Sequence, residues 1–341
     1  MLIKRSHIAS FVHRIGVTRL IAKATRSSGL IVLCYHRIGD GRDTDYDSGT
    51  FSATVDDFHD QVSYLKATYG IATLDETLSG PDSWAKGTRV LLTFDDAYLD
   101  NYKSAYPVLR SLGVQATFLL PTQFVGSNLV PWWDAIAHMI ANSSERYLRL
   151  PLLSDAPFDK SAGAATVIRQ ILQLYKRGAK PTPQKMAVLL NELSESAGMP
   201  VPIEAPHRRF FSWEEAREML RSGMAMGSHS HTHPLMGGLS REAQMEEALL
   251  SRWHITENLG VAPRVFALPC GHSGIETTGV LSQAGYEMSL TTLRGLNCAA
   301  TWNPLCVRRV YVSPEEQKGS SRLRMALMSS LSKYPDLVEA L

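Results

Sequence analysis

Short apolar runs alternate with amphipathic stretches along most of this 341-residue chain. The run GLIVLCYH at 29–36 follows a glycine, and TRVLLTFDD at 88–96 ends abruptly in two acids. Runs of this length predict buried strands. A third strand is predicted at 114–120, and the segment 100–113 before it has helical spacing and a terminal glycine. This alternation predicts parallel βα units.

The pattern becomes helical between about 121 and 206. Two amphipathic helices are predicted there, at 165–178 and 183–198, and each ends at a glycine. We interpret 121–206 as a helical insertion between βα units.

The βα order then returns. A helix at 240–260 is predicted to be amphipathic, with Met245, Leu249 and Trp253 forming its apolar face. The remaining predicted elements are a helix after the Ser212–Glu215 capping box, strands at 224–229, 264–271 and 305–312, and a helix followed by a strand within 279–292.

Polar groups follow two of these strands. Asp95 and Asp96 end the strand at 88–96, and His229 and His233 follow the strand at 224–229 with a spacing of four. Both α/β barrels and open α/β sheets place active sites at the carboxyl ends of their strands. Two imidazoles and one carboxylate can hold a divalent metal and leave positions open for hydrolysis. Taken singly, the aspartates could instead cap a helix and the histidines could lie on a solvated loop.

Composition adds few constraints. A formal net charge of +2 gives no case for nucleic acid as the main partner. The four cysteines form no CxxC pair, which favours reduced thiols in a cytoplasmic protein. No apolar stretch reaches the ~18 residues of a membrane span.

Residues 1–28 are basic and helical in spacing, so we expect either a helix docked on the core or a peripheral contact with an anionic membrane.

The motifs TFDDAYLDNY and HSHTH resemble the first two motifs of the polysaccharide deacetylases, the NodB homology group of carbohydrate esterase family 4. CYHRIGD at 34–40, the stretch from PTQFVG to WWD at 121–134, and FALPCG at 266–271 are similar to the exopolysaccharide-cluster branch. The resemblance implies a distorted (β/α) barrel of about seven strands over 29–313, interrupted by the insertion. A helical tail at 314–341 completes the predicted organisation.

The resemblance also implies roles for individual residues. Asp95 matches the general base, and Asp96, His229 and His233 match the metal ligands. Ser230 matches a small residue that orients the histidine loop. The implied metal is divalent, with zinc as the default and cobalt, nickel or manganese as alternatives.

The third motif departs from the family pattern. Ala267 stands where the arginine that braces the base is usual, and Ala97 stands where a glycine is frequent. Cys270 replaces an aromatic residue, and its backbone N–H matches an oxyanion donor. Without a clear LxH motif, the general acid is expected to be His36, with His272 as the alternative.

These features predict a metal-dependent hydrolase that removes acetyl groups from an N-acetylated poly- or oligosaccharide. Trp132 and Trp133 are candidates for stacking on sugar rings, and His231 is expected to lie at the rim or surface. A related amidase with a non-sugar substrate and a non-catalytic glycan-binding scaffold are the alternatives. We expect a cytoplasmic protein, with membrane contact at the inner face through the basic N-terminus.

Overall fold

A computed structural model describes residues 28–312, apart from 43, 45, 85, 86, 179 and 180. The predicted basic segment at the N-terminus and the predicted helical tail at 314–341 lie outside the described residues. Among the helices that are described, none combines the length and apolar character needed to cross a bilayer.

Eight parallel strands form the main sheet, and seven of them follow one another in the order β11-β10-β9-β6-β5-β1-β12, with β4 beside β5. Two of these strands have seven residues, and the other six have two to four. Their bounds are β1 Gly29–Tyr35, β4 Gly70–Ile71, β5 Thr88–Phe94, β6 Thr117–Leu120, β9 Ala225–Ser228, β10 Val265–Ala267, β11 Met288–Leu290 and β12 Val310–Tyr311. Small two-stranded pairs are formed by β2 Arg37–Ile38 with β3 Phe51–Ala53, and by β7 Tyr147–Leu148 with β8 Phe158–Asp159.

The two ends of this sheet are joined by one short segment. Val307 makes a parallel bridge to Leu290 of β11, and a few residues later β12 pairs with β1 through Val310 and Leu33. The sheet therefore curls into a distorted barrel, which confirms the predicted fold class. The last strand was predicted over 305–312, but a 3₁₀ turn at Pro304–Cys306 precedes it and only two residues are extended.

Helices cover the outside of the sheet. They are α1 Val55–Thr68, α2 Leu74–Leu78, α3 Tyr106–Leu112, α4 Trp132–Asn142, α5 Ala164–Arg177, α6 Pro183–Ala197, α7 Trp213–Arg221, α8 Arg241–Leu259 and α9 Thr277–Gln283. A π-helical turn at Asn101–Ala105 leads into α3.

Both faces of the central strands are buried, as expected for parallel sheets. In β1, Leu33 and Tyr35 pack with Phe58 of α1, whereas Leu30 and Val32 pack with residues of β10 and β11 in a separate cluster. This two-sided burial explains why the strands appear in the sequence as continuous apolar runs.

The segment predicted as an insertion has its own apolar cluster. Helices α4, α5 and α6 pack together around Ile136, Ile171 and Leu189, all fully buried. The same cluster includes Leu235, which lies just after the histidine loop. The insertion is thus packed directly beside the strand ends that carry the predicted site.

The predicted apolar face of α8 is confirmed for Met245, which packs against a buried cluster, and is wrong for Leu249 and Trp253. Leu249 and Trp253 are 49% and 56% exposed, whereas Ala248, Ser251 and Ile255 are buried. Small residues face the sheet because the helix lies close to it, and the Ser228 hydroxyl of β9 donates to the Ser251 hydroxyl at 2.7 Å. The helix therefore turns its bulkiest apolar side chains outward.

Candidate metal centre

The acidic pair sits where β5 ends and the chain turns sharply. Asp96 and Ala97 both have a left-handed backbone, with φ of 76° and 57°. Such values are uncommon outside glycine and mark a locally constrained turn. The turn lets both Asp95 and Asp96 point into one cavity, although adjacent residues of a regular strand face opposite sides.

The histidine loop follows β9 and has two more residues of this kind. Ser230 has φ of 65° and His233 has φ of 60°. The Ser230 hydroxyl accepts the His233 backbone N–H at 3.0 Å, and the Ser230 N–H donates to Ser228 Oγ at 3.1 Å. These bonds fold the loop so that His229 and His233 reach the same point.

One carboxylate oxygen faces both imidazoles. Asp96 Oδ1 lies 3.5 Å from His229 Nε2 and 3.5 Å from His233 Nε2, and the two nitrogens are 3.2 Å apart. All three residues are buried, and Asp96 Oδ1 has no hydrogen-bond partner among the described residues. A buried oxygen without a partner is costly unless a cation compensates for it.

The protonation states of this group suit a divalent cation. Burial lowers the pKa of His229 and lowers that of His233 further below its usual range, so both rings are neutral. His229 Nδ1 lies 2.9 Å from the Ala267 carbonyl, which fixes its proton there and leaves Nε2 as an acceptor. Burial, and then the Asp95 charge, raise the pKa of Asp96, which a bound cation would relieve. The residues present therefore fit a two-histidine, one-carboxylate metal site.

Asp95 is held separately from this group. Its Oδ1 accepts a 2.7 Å hydrogen bond from Arg309, while Oδ2 lies 3.7 Å from His229 Nε2 and accepts the Cys34 thiol at 3.4 Å. Burial alone would raise the pKa of Asp95, but the Arg309 guanidinium, together with His229 and His36, outweighs burial and holds that pKa well below its usual range. Asp95 is therefore an ionised carboxylate whose Oδ2 faces the metal ligands.

Sequence reasoning missed Arg309. Ala267 of β10 offers no such group, and the guanidinium that bonds Asp95 belongs to the residue directly before β12. Arg309 is 2% exposed and also donates from Nε to the Thr291 carbonyl at 2.9 Å. The signal was present in VRRVY, because a charged residue inside a buried strand requires a partner.

Of the two predicted general acids, only His36 lines the cavity. Its Nε2 lies 4.0 Å from Asp96 Oδ2, and its ring contacts Tyr311 edge to face. Burial lowers the pKa of His36 to about 4, so the ring is neutral at pH 7 unless a proton reaches it during the reaction. His272 is absent from the lining of this cavity and lies against Gly237.

Cys270 lies in a 3₁₀ turn directly after β10, with φ of 54°. Burial raises the pKa of its thiol, and the positive charge of Lys176 partly offsets this. Lys176 belongs to α5 of the insertion and lines the same cavity, which sequence reasoning did not anticipate.

The two tryptophans of the insertion contact the histidine loop differently. Trp133 is 6% exposed, its ring centroid lies 4.2 Å from that of His233, and its Nε1 donates to the Tyr98 hydroxyl. Trp132 is half-buried and donates from Nε1 to the His233 carbonyl at 3.2 Å. Both line the cavity, and Trp132 is the more accessible of the two.

The central histidine of the loop points elsewhere. The backbone N–H of His231 donates to Glu247, and the ring stacks on His254 with 4.9 Å between centroids. His231 Nδ1 lies 2.9 Å from the Thr122 hydroxyl. These contacts place it outside the metal group.

A cavity of about 350 Å³ opens over the metal group. The side chains described above form its floor, and the insertion forms one wall. Its lining also includes Asp47, Gly49, Thr50, Leu172, Lys176, Thr291, Thr292 and Tyr311.

Comparisons with known proteins agree with this architecture. The polysaccharide deacetylase family model matches residues 84–289. YxkH of Bacillus subtilis (strain 168), which carries a provisional polysaccharide deacetylase name, is 22% identical over 292 residues, covering 86% of this chain and 74% of the relative.

Two solved structures share the fold. The Streptococcus pyogenes deacetylase PplD, in complex with acetate, has a TM-score of 0.55 at 16% identity, covering 89% of this chain and 99% of PplD. IcaB from Ammonifex degensii has a TM-score of 0.55 at 20% identity, covering 88% of this chain and 97% of IcaB. Because the family model spans more than half of the sequence, the chain belongs to the polysaccharide deacetylase family.

Proposed function

We propose that this polysaccharide deacetylase hydrolyses the N-acetyl groups of hexosamine residues with a zinc ion held by Asp96, His229 and His233. The observation that carries the proposal is the convergence of three buried ligand atoms beside an ionised, separately held carboxylate. Zinc suits two imidazoles and one carboxylate, and cobalt, nickel or manganese would suit the same donors. When bound, the metal supplies a Lewis acid next to the acetyl carbonyl.

In this proposal Asp95, Cys270 and His36 each have a separate role in the reaction. Asp95 Oδ2 accepts the proton of the attacking water, because Oδ1 is already committed to Arg309. The backbone N–H of Cys270 donates to the oxyanion that develops on the acetyl oxygen. The proton that Asp95 takes from the water passes to the neutral ring of His36, whose nitrogen lies within 4.8 Å of an Asp95 carboxylate oxygen, and His36 then gives this proton to the leaving amine.

Enzymes of the related amidase class could share this metal centre and differ only in the cavity wall. The tryptophan pair favours a saccharide, because Trp132 offers a partly accessible aromatic face beside the histidine loop. Conversely, a scaffold without activity would have no need for four buried ionisable groups at one point.

The test compares two aspartate variants on N-acetylglucosamine oligomers, with released acetate and bound zinc both measured. Asp95→Asn is expected to keep stoichiometric zinc and lose activity by about 10²–10⁴-fold, the usual contribution of a general base. Asp96→Asn is expected to lose both zinc and activity. Acetate release by Asp95→Asn at the wild-type rate would contradict the assigned base, and absence of release from the zinc-loaded wild type would contradict the activity.

For its location, we propose the cytoplasmic face of a membrane. Six Lys and Arg residues occur in the first 26 positions, with no acid before Asp40, which suits electrostatic contact with anionic lipid. Sedimentation with anionic and with neutral vesicles tests this, since only the anionic vesicles should retain the protein.

A further inference from the structure

The insertion places a basic side chain in the wall of the catalytic cavity. Lys176 lies in the last turn of α5, and Leu172, one turn earlier, lines the cavity as well. Side chains three, four and seven residues apart share one face of a helix. Arg169 therefore lies on the same face, two turns and about 10 Å before Lys176. We call these two cations the α5 basic pair.

Neither cation of the α5 basic pair has a carboxylate partner. Among the described residues, no carboxylate pairs with Lys176 or Arg169, and the Lys176 ammonium shares a hydrogen bond with the Cys270 thiol. Asp47, which also lines the cavity, influences both cations electrostatically, while its carboxylate accepts the Gly49 N–H at 2.8 Å. The pair is therefore available to an anion that enters the cavity.

The charge balance of the cavity also favours an anionic ligand. Its lining contains three carboxylates, namely Asp47, Asp95 and Asp96, and two cationic side chains, Arg309 and Lys176. With a divalent ion bound, the positive charges of the lining exceed the negative ones by one, and the exposed Arg169 adds a further positive charge that acts on Asp47. Arg309 is committed to Asp95, so the surplus lies on the side of the insertion.

Cys270, and then Asp96 and Asp47, raise the pKa of Lys176 against the lowering caused by burial, so the ammonium is charged at neutral pH. A half-buried ammonium whose neighbour is a weakly accepting thiol is poorly solvated, and a charge-assisted hydrogen bond to an anion would compensate for this loss. Two cations spaced along a helix match an extended anionic ligand better than a single acetyl oxygen.

We propose that the α5 basic pair binds an anionic substituent, a carboxylate or a phosphate, on the saccharide whose acetyl group enters the cavity. This inference rests on the proposed deacetylase function and narrows its substrate to acidic N-acetylated glycans. Lys176 contacts the anion nearest the reacting sugar, and Arg169 contacts the next one outward.

The test uses a matched pair of probes with the zinc-loaded enzyme. One probe is a hyaluronan tetrasaccharide, in which glucuronate alternates with N-acetylglucosamine, and the other is the same oligomer with its carboxylates converted to methyl esters. The wild type is expected to bind the acid form about tenfold more tightly than the ester, as a charged hydrogen bond allows. N-acetylglucosamine 6-phosphate and N-acetylglucosamine form the corresponding pair for phosphate.

Variants then identify the groups responsible. Lys176→Met and Arg169→Gln should reduce the preference for the acid form towards unity, mainly by raising KM, and Lys176→Arg should retain it. Arg177→Gln removes a neighbouring, exposed charge of the same helix and should leave the preference unchanged. Added salt should weaken acid-form binding to the wild type and have little effect on Lys176→Met.

Binding is measured by calorimetry and activity by acetate release. The deacetylase function and the anion site can therefore be contradicted independently of each other. Absence of acetate from every probe contradicts the deacetylase function and leaves the binding comparison intact. Equal binding of both members of both probe pairs overturns the anion site. An equal loss of kcat on acid and ester probes in Lys176→Met would also overturn it, because Lys176 would then act on the reacting groups.

Discussion

Arg309 shows how one side chain sets the charge of another that lies far from it in the sequence. Ala267, at the end of β10, has no group that could bond Asp95, whereas Arg309, directly before β12, donates to this carboxylate at 2.7 Å. The same side chain also donates to the Thr291 carbonyl, which fixes its orientation. Arg309 is thus a positioning residue for the proposed base.

Removal of the Arg309 guanidinium should destabilise the folded protein strongly. Arg309→Met is expected to lower the free energy of unfolding of the metal-free protein by about 3–5 kcal/mol, because it leaves a buried carboxylate uncompensated. The lowered pKa of Asp95 means that this contribution is present above the unfolded pKa of about 3.9 and is lost as the pH falls through the lower folded-state value. Denaturant titrations at pH 7 measure the loss.

Arg309→Lys serves as the control, because it keeps the charge and gives up the planar donor pair. Its stability should lie between that of the wild type and Arg309→Met. A cost below about 1 kcal/mol for the methionine variant, in the range of exposed pairs, would contradict the buried geometry.

At the scale of elements, the loops after β5 and β9 carry the metal group in strained backbone. Asp96, Ser230 and His233 all have positive φ. Each such backbone conformation raises the free energy of the folded state by of order 1–3 kcal/mol, which the surrounding contacts must offset. The barrel supplies this support through buried bonds such as that between Ser230 and the His233 N–H. The metal ligands are therefore held in place because the ends of β5 and β9 are fixed in the sheet.

Helix α8 yields a matched comparison of its two faces. Leu249→Ser and Trp253→Ser are expected to change the free energy of unfolding by less than about 0.5 kcal/mol, since both side chains are largely exposed. Ile255→Ala, on the buried face, should cost about 2–5 kcal/mol. Thermal and urea unfolding of the three variants checks the prediction, and a large cost for Trp253→Ser would indicate that this face is covered in solution.

At the scale of the whole molecule, the metal group joins segments more than 130 residues apart in sequence, from Asp96 to His229. Its ligands approach one another only when β5, β6 and β9 are paired in the sheet. Metal binding should therefore stabilise the folded barrel and leave the unfolded chain unaffected.

Removal of the metal tests this coupling. Chelation is expected to abolish acetate release and to lower the Tm, because an ion at 100 times its Kd stabilises the folded state by about 2.7 kcal/mol. Re-addition of zinc should restore both. In the Asp96→Asn variant the same additions should leave the Tm unchanged, and a wild-type shift in that variant would show that zinc binds elsewhere.

Much of this protein could be predicted from the sequence because its signals are local. Continuous apolar runs specified the strands, and glycine-terminated periodic segments specified α5 and α6. The aspartate pair and the spaced histidines stand out because such residues are rare directly after buried strands. The error on α8 arose because apolar periodicity was followed without regard to the small residues that allow close approach.

Only the tertiary structure decided which distant groups meet. The sequence determined that two imidazoles and two carboxylates lie at strand ends, since each motif adjoins its own strand. It could not specify that Arg309 faces Asp95, or that Lys176 of the insertion enters the same cavity, because those contacts depend on sheet closure and helix packing. The sequence specifies which chemical groups follow each strand, whereas the whole fold determines the electrostatic environment of each group.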